Sequence, residues 1–150
     1  MKLFLIVTAL IVMVLIYAVL HTQVKSPSTT RLPWKHNRET IYLEIADDGS
    51  ERSLGLSGRD KLATDGGMIF RLPHPQIPTF WMSGVKFPLD IIWIRDKVVI
   101  DLTPNIPAPK DSDETKLQFY QPREPVDEVI ELNAGMVEKL GITIGDRLNY

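Results

Sequence analysis

Two of the 19 acidic residues in this 150-residue chain stand where a carboxylate is expensive. Asp90 lies between Leu89 and Ile91 in the run LDIIWI, and Glu131 between Ile130 and Leu132 in VDEVIEL. Both runs read as strands, and the first is apolar on both faces, as a doubly covered strand is. An ionised carboxylate in such a place must be paired or hydrogen-bonded. For Asp90 the structural reading is a buried pair, with Arg59 as the nominated two-bond partner, or a carboxylate accepting N–H groups from a turn. The functional reading is a polar group at the floor of a pocket. Asp90 and Glu131 together would make an acid/base pair for glycoside cleavage if about 5–9 Å separated them.

Other chemistry is sparse. Phe80, Trp81, Met82 and Trp93 form an aromatic-rich set whose first reading is core. Trp81, close to Pro78, would also wall a groove for a sugar or peptide. Arg59, Trp81 and Asp90 are therefore the ligand-binding candidates. Of the three histidines, His21 and His36 precede the domain and leave His74 alone between prolines, too few for a zinc site. With no cysteine there is no thiolate metal site, thiol nucleophile or disulfide framework. No G-x-S-x-G, P-loop or Rossmann glycine pattern occurs, and neither a metal nor a cofactor is expected.

The elements that must position these residues are short strands. Residues 40–46 (TIYLEIA) alternate with a period of two, and the turn 47–50 follows. Residues 51–56 predict a short helix ended near Gly55 or Gly58. Residues 68–71, 79–82, 89–94, 98–103, 117–120 and 126–132 predict further strands, with a polar hairpin at 95–97. Pro73, Pro75 and Pro78 make residues 72–78 loop or edge. Asn133 is the expected N-cap of a helix over 134–140 that Gly141 ends. The fold class is mainly β: one compact sandwich or small barrel of about seven short strands with one or two short helices.

The domain of residues 39–150 is preceded by two different segments. Residues 3–20 (LFLIVTALIVMVLIYAVL) carry no charge, and as a helix they would span about 27 Å, close to a hydrocarbon core. Residues 1–21 thus predict a transmembrane anchor or signal. The run is long for a signal peptide and lacks a small-x-small site before His21, which favours an uncleaved anchor. Residues 22–38 (TQVKSPSTTRLPWKHNR) have the composition of a tether rich in Pro, Ser and Thr. Lys25, Arg31, Lys35 and Arg38 after the span would, by the positive-inside rule alone, keep the domain in the cytoplasm. A short basic head before a long apolar run is the ordinary start of an export signal, and the expectation is a single-pass protein with its domain outside the cytoplasm, or secreted if cleaved.

Charge divides the chain the same way. Residues 1–38 hold five basic residues and no acidic one, whereas residues 39–150 hold 12 basic and 19 acidic, a net −7. An acidic domain argues against a nucleic-acid partner.

Several short stretches occur in an order that resembles a known family. They are Gly55-Leu56 with Arg59, Gly67-Met68-Ile69-Phe70, Phe80-Trp81-Met82, Pro88-Leu89-Asp90-Ile91-Ile92-Trp93, Glu131-Leu132-Asn133-Ala134-Gly135, and Gly141-Ile142 with Gly145-Asp146. Together they look like the domain-of-unknown-function family 192 over residues 40–150. The resemblance implies a compact mainly-β domain, often preceded in bacteria by a signal or membrane segment, and it implies no reaction. This chain departs from the pattern twice: Ser83-Gly84-Val85 replaces a Lys-Asn-Thr stretch, and Ser57 replaces a methionine.

The leading expectation is a membrane-tethered extracytoplasmic domain that binds a small molecule, glycan or envelope protein without catalysis. The alternatives are an envelope hydrolase using Asp90 with Glu131, and a structural accessory of a membrane complex.

Overall fold

The computed structural model describes residues 30–110 and 117–150. The apolar run 3–20 and residues 22–29 of the tether lie outside the described residues. Among those described, no helix is long and apolar enough to cross a membrane.

Among the described residues, eight strands and two short helices follow in the order β1 (Arg31–His36), β2 (Glu39–Ala46), α1 (Gly49–Leu54), β3 (Gly66–Gln76), β4 (Phe80–Trp81), β5 (Leu89–Arg95), β6 (Val98–Ile106), β7 (Phe119–Tyr120), β8 (Val126–Asn133) and α2 (Met136–Leu140). Six strands form one sheet in the order β1-β2-β3-β8-β5-β6, and β4 pairs with β7 in a separate ribbon. All pairings are antiparallel except β2 with β3. A parallel pair needs a crossover, and α1 with residues 55–65 supplies it.

The mainly-β class holds, but the arrangement is neither two stacked sheets nor a closed barrel. It is one open six-stranded mixed sheet with β1 and β6 as its edges, accompanied by the two-stranded β4–β7 ribbon. The C-terminal segment reaches both edges: Arg147 bridges to Val98, and the Tyr150 ring meets Trp34 edge-on at 6.4 Å. Apolar side chains cover both faces, because residues alternate along each strand. Ile41, Leu43, Ile69, Ile92, Ile130 and Leu132 pack with α2 on one face. Met68, Phe70, Ile91, Trp93 and Val129 pack on the other with Leu56, Met82 and Val85. Gly67 lets the strands close up: a Cβ there would lie 2.6 Å from Leu132 and 2.7 Å from Leu43.

Three local expectations are corrected. The tether predicted to run to residue 38 stops earlier, since Arg31–His36 pairs with β2 and buries Trp34 completely. Pro33 is tolerated there because β1 is an edge strand. β3 runs on through Pro73 and Pro75, and the prolines fall within the register shift between Arg71 and Gln76, where no ladder bond is asked of them. Asn133 does not cap α2. It ends β8 and its amide donates to the Ala63 carbonyl at 2.9 Å, while Gly135 occupies the helix N-cap.

Candidate functional site

Asp90 and Glu131 lie close in the sheet and on opposite faces of it. In the β5–β8 ladder Ile91 is the partner of Glu131, and Asp90 is the partner of Leu132. Cross-strand partners share a face. Glu131 thus belongs with Ile91, Met68 and Val129, and Asp90 with Leu132 and Ile92. No water or substrate can bridge two carboxyls divided by the sheet, so the acid/base pair for glycoside cleavage is not formed.

Asp90 is a structural clamp. It is fully buried, and it accepts the Asn105 N–H on Oδ1 and the Val137 N–H on Oδ2, each at 2.8 Å. One bond holds the end of β6 and the other holds the first turn of α2. Arg59 is not its partner: the guanidinium grips Glu44 of β2 through two bonds of 2.9 Å. Backbone donors outcompete a side chain here, because α2 presents unsatisfied N–H groups directly to β5.

Four acidic residues are buried among the described residues. Asp101 accepts the N–H groups of Leu102 and Arg123. Glu128 meets Lys97 Nζ at 2.9 Å, Arg71 Nε at 3.4 Å and the Tyr150 hydroxyl at 2.7 Å. Glu131 is 6% exposed, and among the described residues no hydrogen bond reaches its carboxyl. Burial pushes this carboxyl up to about 8, against a smaller opposing pull from Arg59.

Glu131 lines a cleft of about 500 Å³. Such a volume is in the range of small-molecule sites. One wall is α1 and the turn after it, with Arg52, Leu56 and Ser57. The Asp48 carboxylate caps α1 by accepting the Glu51 N–H at 2.8 Å, and Gly55 ends it. The other walls are Phe70 and Leu72 of β3, Phe80 and Trp81 of β4, and Ser83 and Val85 beyond. Phe80 stands edge-on between Phe70 at 5.1 Å and Trp93 at 5.5 Å, which fixes the aromatic wall to the core. Trp93 and Met82 are core residues, as expected. Trp81 is 47% exposed and packs edge-on against Phe119 of β7.

The turn at Gly84 closes on the turn at Ser57. The Gly58 N–H donates to the Gly84 carbonyl at 2.9 Å, and a Cβ on Gly84 would come within 2.1 Å of Ser57 Oγ. Gly84 has φ +68°, which also favours glycine. The two departures from the family pattern are thus one feature, a close contact of small residues on the cleft wall.

Of the sequence candidates, Glu131 and Trp81 line the cleft, Arg59 stands beside Glu131 by its charge, and Asp90 faces away. Sequence reasoning singled out Ser57 and Ser83 only as departures from the family pattern and did not place Phe70, Arg52 or Ser53 at a site; the glycines at 58 and 84 were the available signal, since they mark turns folded against each other. Among the described residues no group of three or more His, Asp or Glu side chains is placed to hold a metal ion.

This arrangement has relatives. The chain is 29% identical over 113 residues to a UPF0127 protein of Pyrococcus furiosus, covering 73% of this chain and 87% of that one. A Sinorhizobium meliloti structure described as a candidate transcription regulator superposes with a TM-score of 0.67 at 32% identity, over 79% of this chain and 91% of the other. A Novosphingobium aromaticivorans protein of unknown function superposes with a TM-score of 0.71 at 29% identity, over 83% and 90%. The model of the uncharacterised family DUF192 matches residues 32–150. With most of its length matched in this way, the chain belongs to the DUF192 family.

Proposed function

We propose that this chain is a binding module tethered to a membrane. Residues 3–20 anchor it, residues 22–30 are the tether, and the domain outside the cytoplasm receives a small molecule, glycan or envelope partner in the cleft above Glu131. One observation carries the reading: the cleft sets Leu72, Phe80 and Trp81 against polar side chains such as Arg52, Ser57 and Ser83, and its lining includes the Glu131 carboxyl, which has no hydrogen-bond partner among the described residues. Convergence of a few polar groups in an apolar concavity is the usual form of a ligand site. A purely structural accessory would have no need of such a concavity. A lone carboxyl without a second catalytic group supports binding over hydrolysis. The regulator description of the Sinorhizobium protein does not transfer readily, because residues 39–150 carry a net −7 and would repel phosphates.

The test is a thermal-shift screen on the full-length chain in nanodiscs, with cell-wall glycans, small metabolites, peptides and metal ions. A stabilising ligand whose effect Trp81→Ala weakens at least tenfold in affinity is the expected result. Hits indifferent to Trp81→Ala and Glu131→Gln would remove the cleft from the account. A topology reporter fused after Tyr150 should be active outside the cytoplasm, and activity only inside would overturn the proposed placement.

A further inference from the structure

Resting on the binding reading above, we propose that the cleft takes a ligand bearing a primary ammonium group. The charge seats against Glu131, whose carboxyl releases its proton to solvent as the ammonium binds, while the carbon part of the ligand lies along Phe80 and Trp81. The neighbours of Glu131 on its own face of the sheet are Met68 and Ile91, and neither can donate a hydrogen bond.

The cations nearby are already engaged. Arg59 is held by both oxygens of Glu44, Arg52 donates to the Asp47 and Arg71 carbonyls, and Lys86 pairs with Asp60. Glu131 opens onto the cleft, so its donors come from solvent or from a ligand that displaces it. An ammonium brings three of them together with the opposite charge, whereas a hydroxyl brings one and no charge.

Two further observations favour a cation over a neutral group. Trp81, about half exposed and on the cleft wall, offers an indole of the kind to which an alkylammonium is attracted. The net −7 of residues 39–150 raises the local concentration of cations and lowers that of anions. The same chemistry belongs to a free amine and to a lysine side chain, and the assay separates the two.

The experiment is calorimetric titration of the full-length chain in nanodiscs with phenethylammonium, its neutral isostere 2-phenylethanol, and Nα-acetyl-lysine methylamide. An ammonium ligand should bind at least tenfold more tightly than phenylethanol. Glu131→Gln should reduce that ratio to near one while leaving the circular dichroism spectrum unchanged. Ser83→Lys, which plants a competing ammonium on the cleft wall, should weaken amine binding by a similar factor.

Binding of phenethylammonium alone identifies a free amine, and binding of the lysine derivative alone identifies a protein side chain. Equal affinity for amine and alcohol, or an amine preference that survives in Glu131→Gln, would overturn the ammonium proposal and leave the cleft a binding site. Absence of binding by all three at millimolar concentration would overturn the binding reading with it.

Discussion

Replacing Glu131 by glutamine should stabilise this protein, and by more as the pH rises. The carboxyl has an ordinary value of 4.5 and is pushed up to about 8 by burial in the fold. Each tenfold change in proton affinity is about 1.4 kcal/mol, so the folded state holds this proton more tightly by about 5 kcal/mol. The sign follows from proton counts. Below 4.5 both states are protonated and the group contributes its full stability. Between 4.5 and about 8 the unfolded chain has lost the proton and the folded one keeps it, so stability falls with rising pH. At pH 7 the loss is about 3 kcal/mol, a sizeable part of the total for a domain of this size.

Glutamine preserves the shape and never ionises. The variant should therefore escape the loss, and its advantage over the parent should grow by about 1 kcal/mol per pH unit between pH 5 and 8. Urea titrations of both proteins at successive pH values measure this directly. At pH 7 the midpoints should differ by about 2 M for a slope near 1.5 kcal/mol per molar. Other titrating groups cancel in the difference between the two proteins. A difference that stays constant across that range, or a variant less stable than the parent at pH 8, would refute the claim that Glu131 is buried without donors.

Two further substitutions test how the site is held. Asp90→Ala leaves the buried Val137 N–H without an acceptor, at about 1–3 kcal/mol, and the part-buried Asn105 N–H at less, since water can reach that exposed residue; a total loss below about 1 kcal/mol in urea titration, or unchanged hydrogen exchange at the Val137 amide, would disprove the clamp. Gly84→Ala combines a positive φ with a Cβ 2.1 Å from Ser57 Oγ, and should lower stability by about 1–2 kcal/mol. The double variant with Ser57→Ala should recover part of that loss, and identical melting temperatures for the single and double variants would show that the turns do not press on each other.

The central strands were legible because their apolar residues alternate or run continuously, and β2, β5 and β8 appear where that pattern places them. β1 was hidden by composition. Pro33 and the neighbouring Ser and Thr residues read as tether, although Leu32 and Trp34 are spaced two apart as in a strand. The burial of Asp90 was legible from its flanks, but its partners were not. Those partners are backbone groups 15 and 47 residues away, and no side-chain pattern announces a backbone donor. The aromatic wall was half legible: Trp81 stood out beside the prolines, whereas Phe70 reads as an ordinary interior residue until the crossover through α1 brings Gly55 against its ring.

Why the two carboxylates differ so sharply follows from the sheet itself. β5 and β8 are adjacent and antiparallel, and one step of register decides which face a side chain occupies. On the α2 side a carboxylate meets the exposed N–H groups of a helix start, and Asp90 is satisfied there by the fold alone. On the other side Glu131 meets the carbon of Met68 and Ile91 and the open space of the cleft. The fold therefore completes one acid and leaves the other incomplete. An incomplete buried acid destabilises the empty protein at neutral pH, and that same free energy becomes available to whatever brings donors and positive charge into the cleft. Selectivity then needs no elaborate contact list, since a neutral ligand of equal shape brings Glu131 fewer donors and no opposite charge.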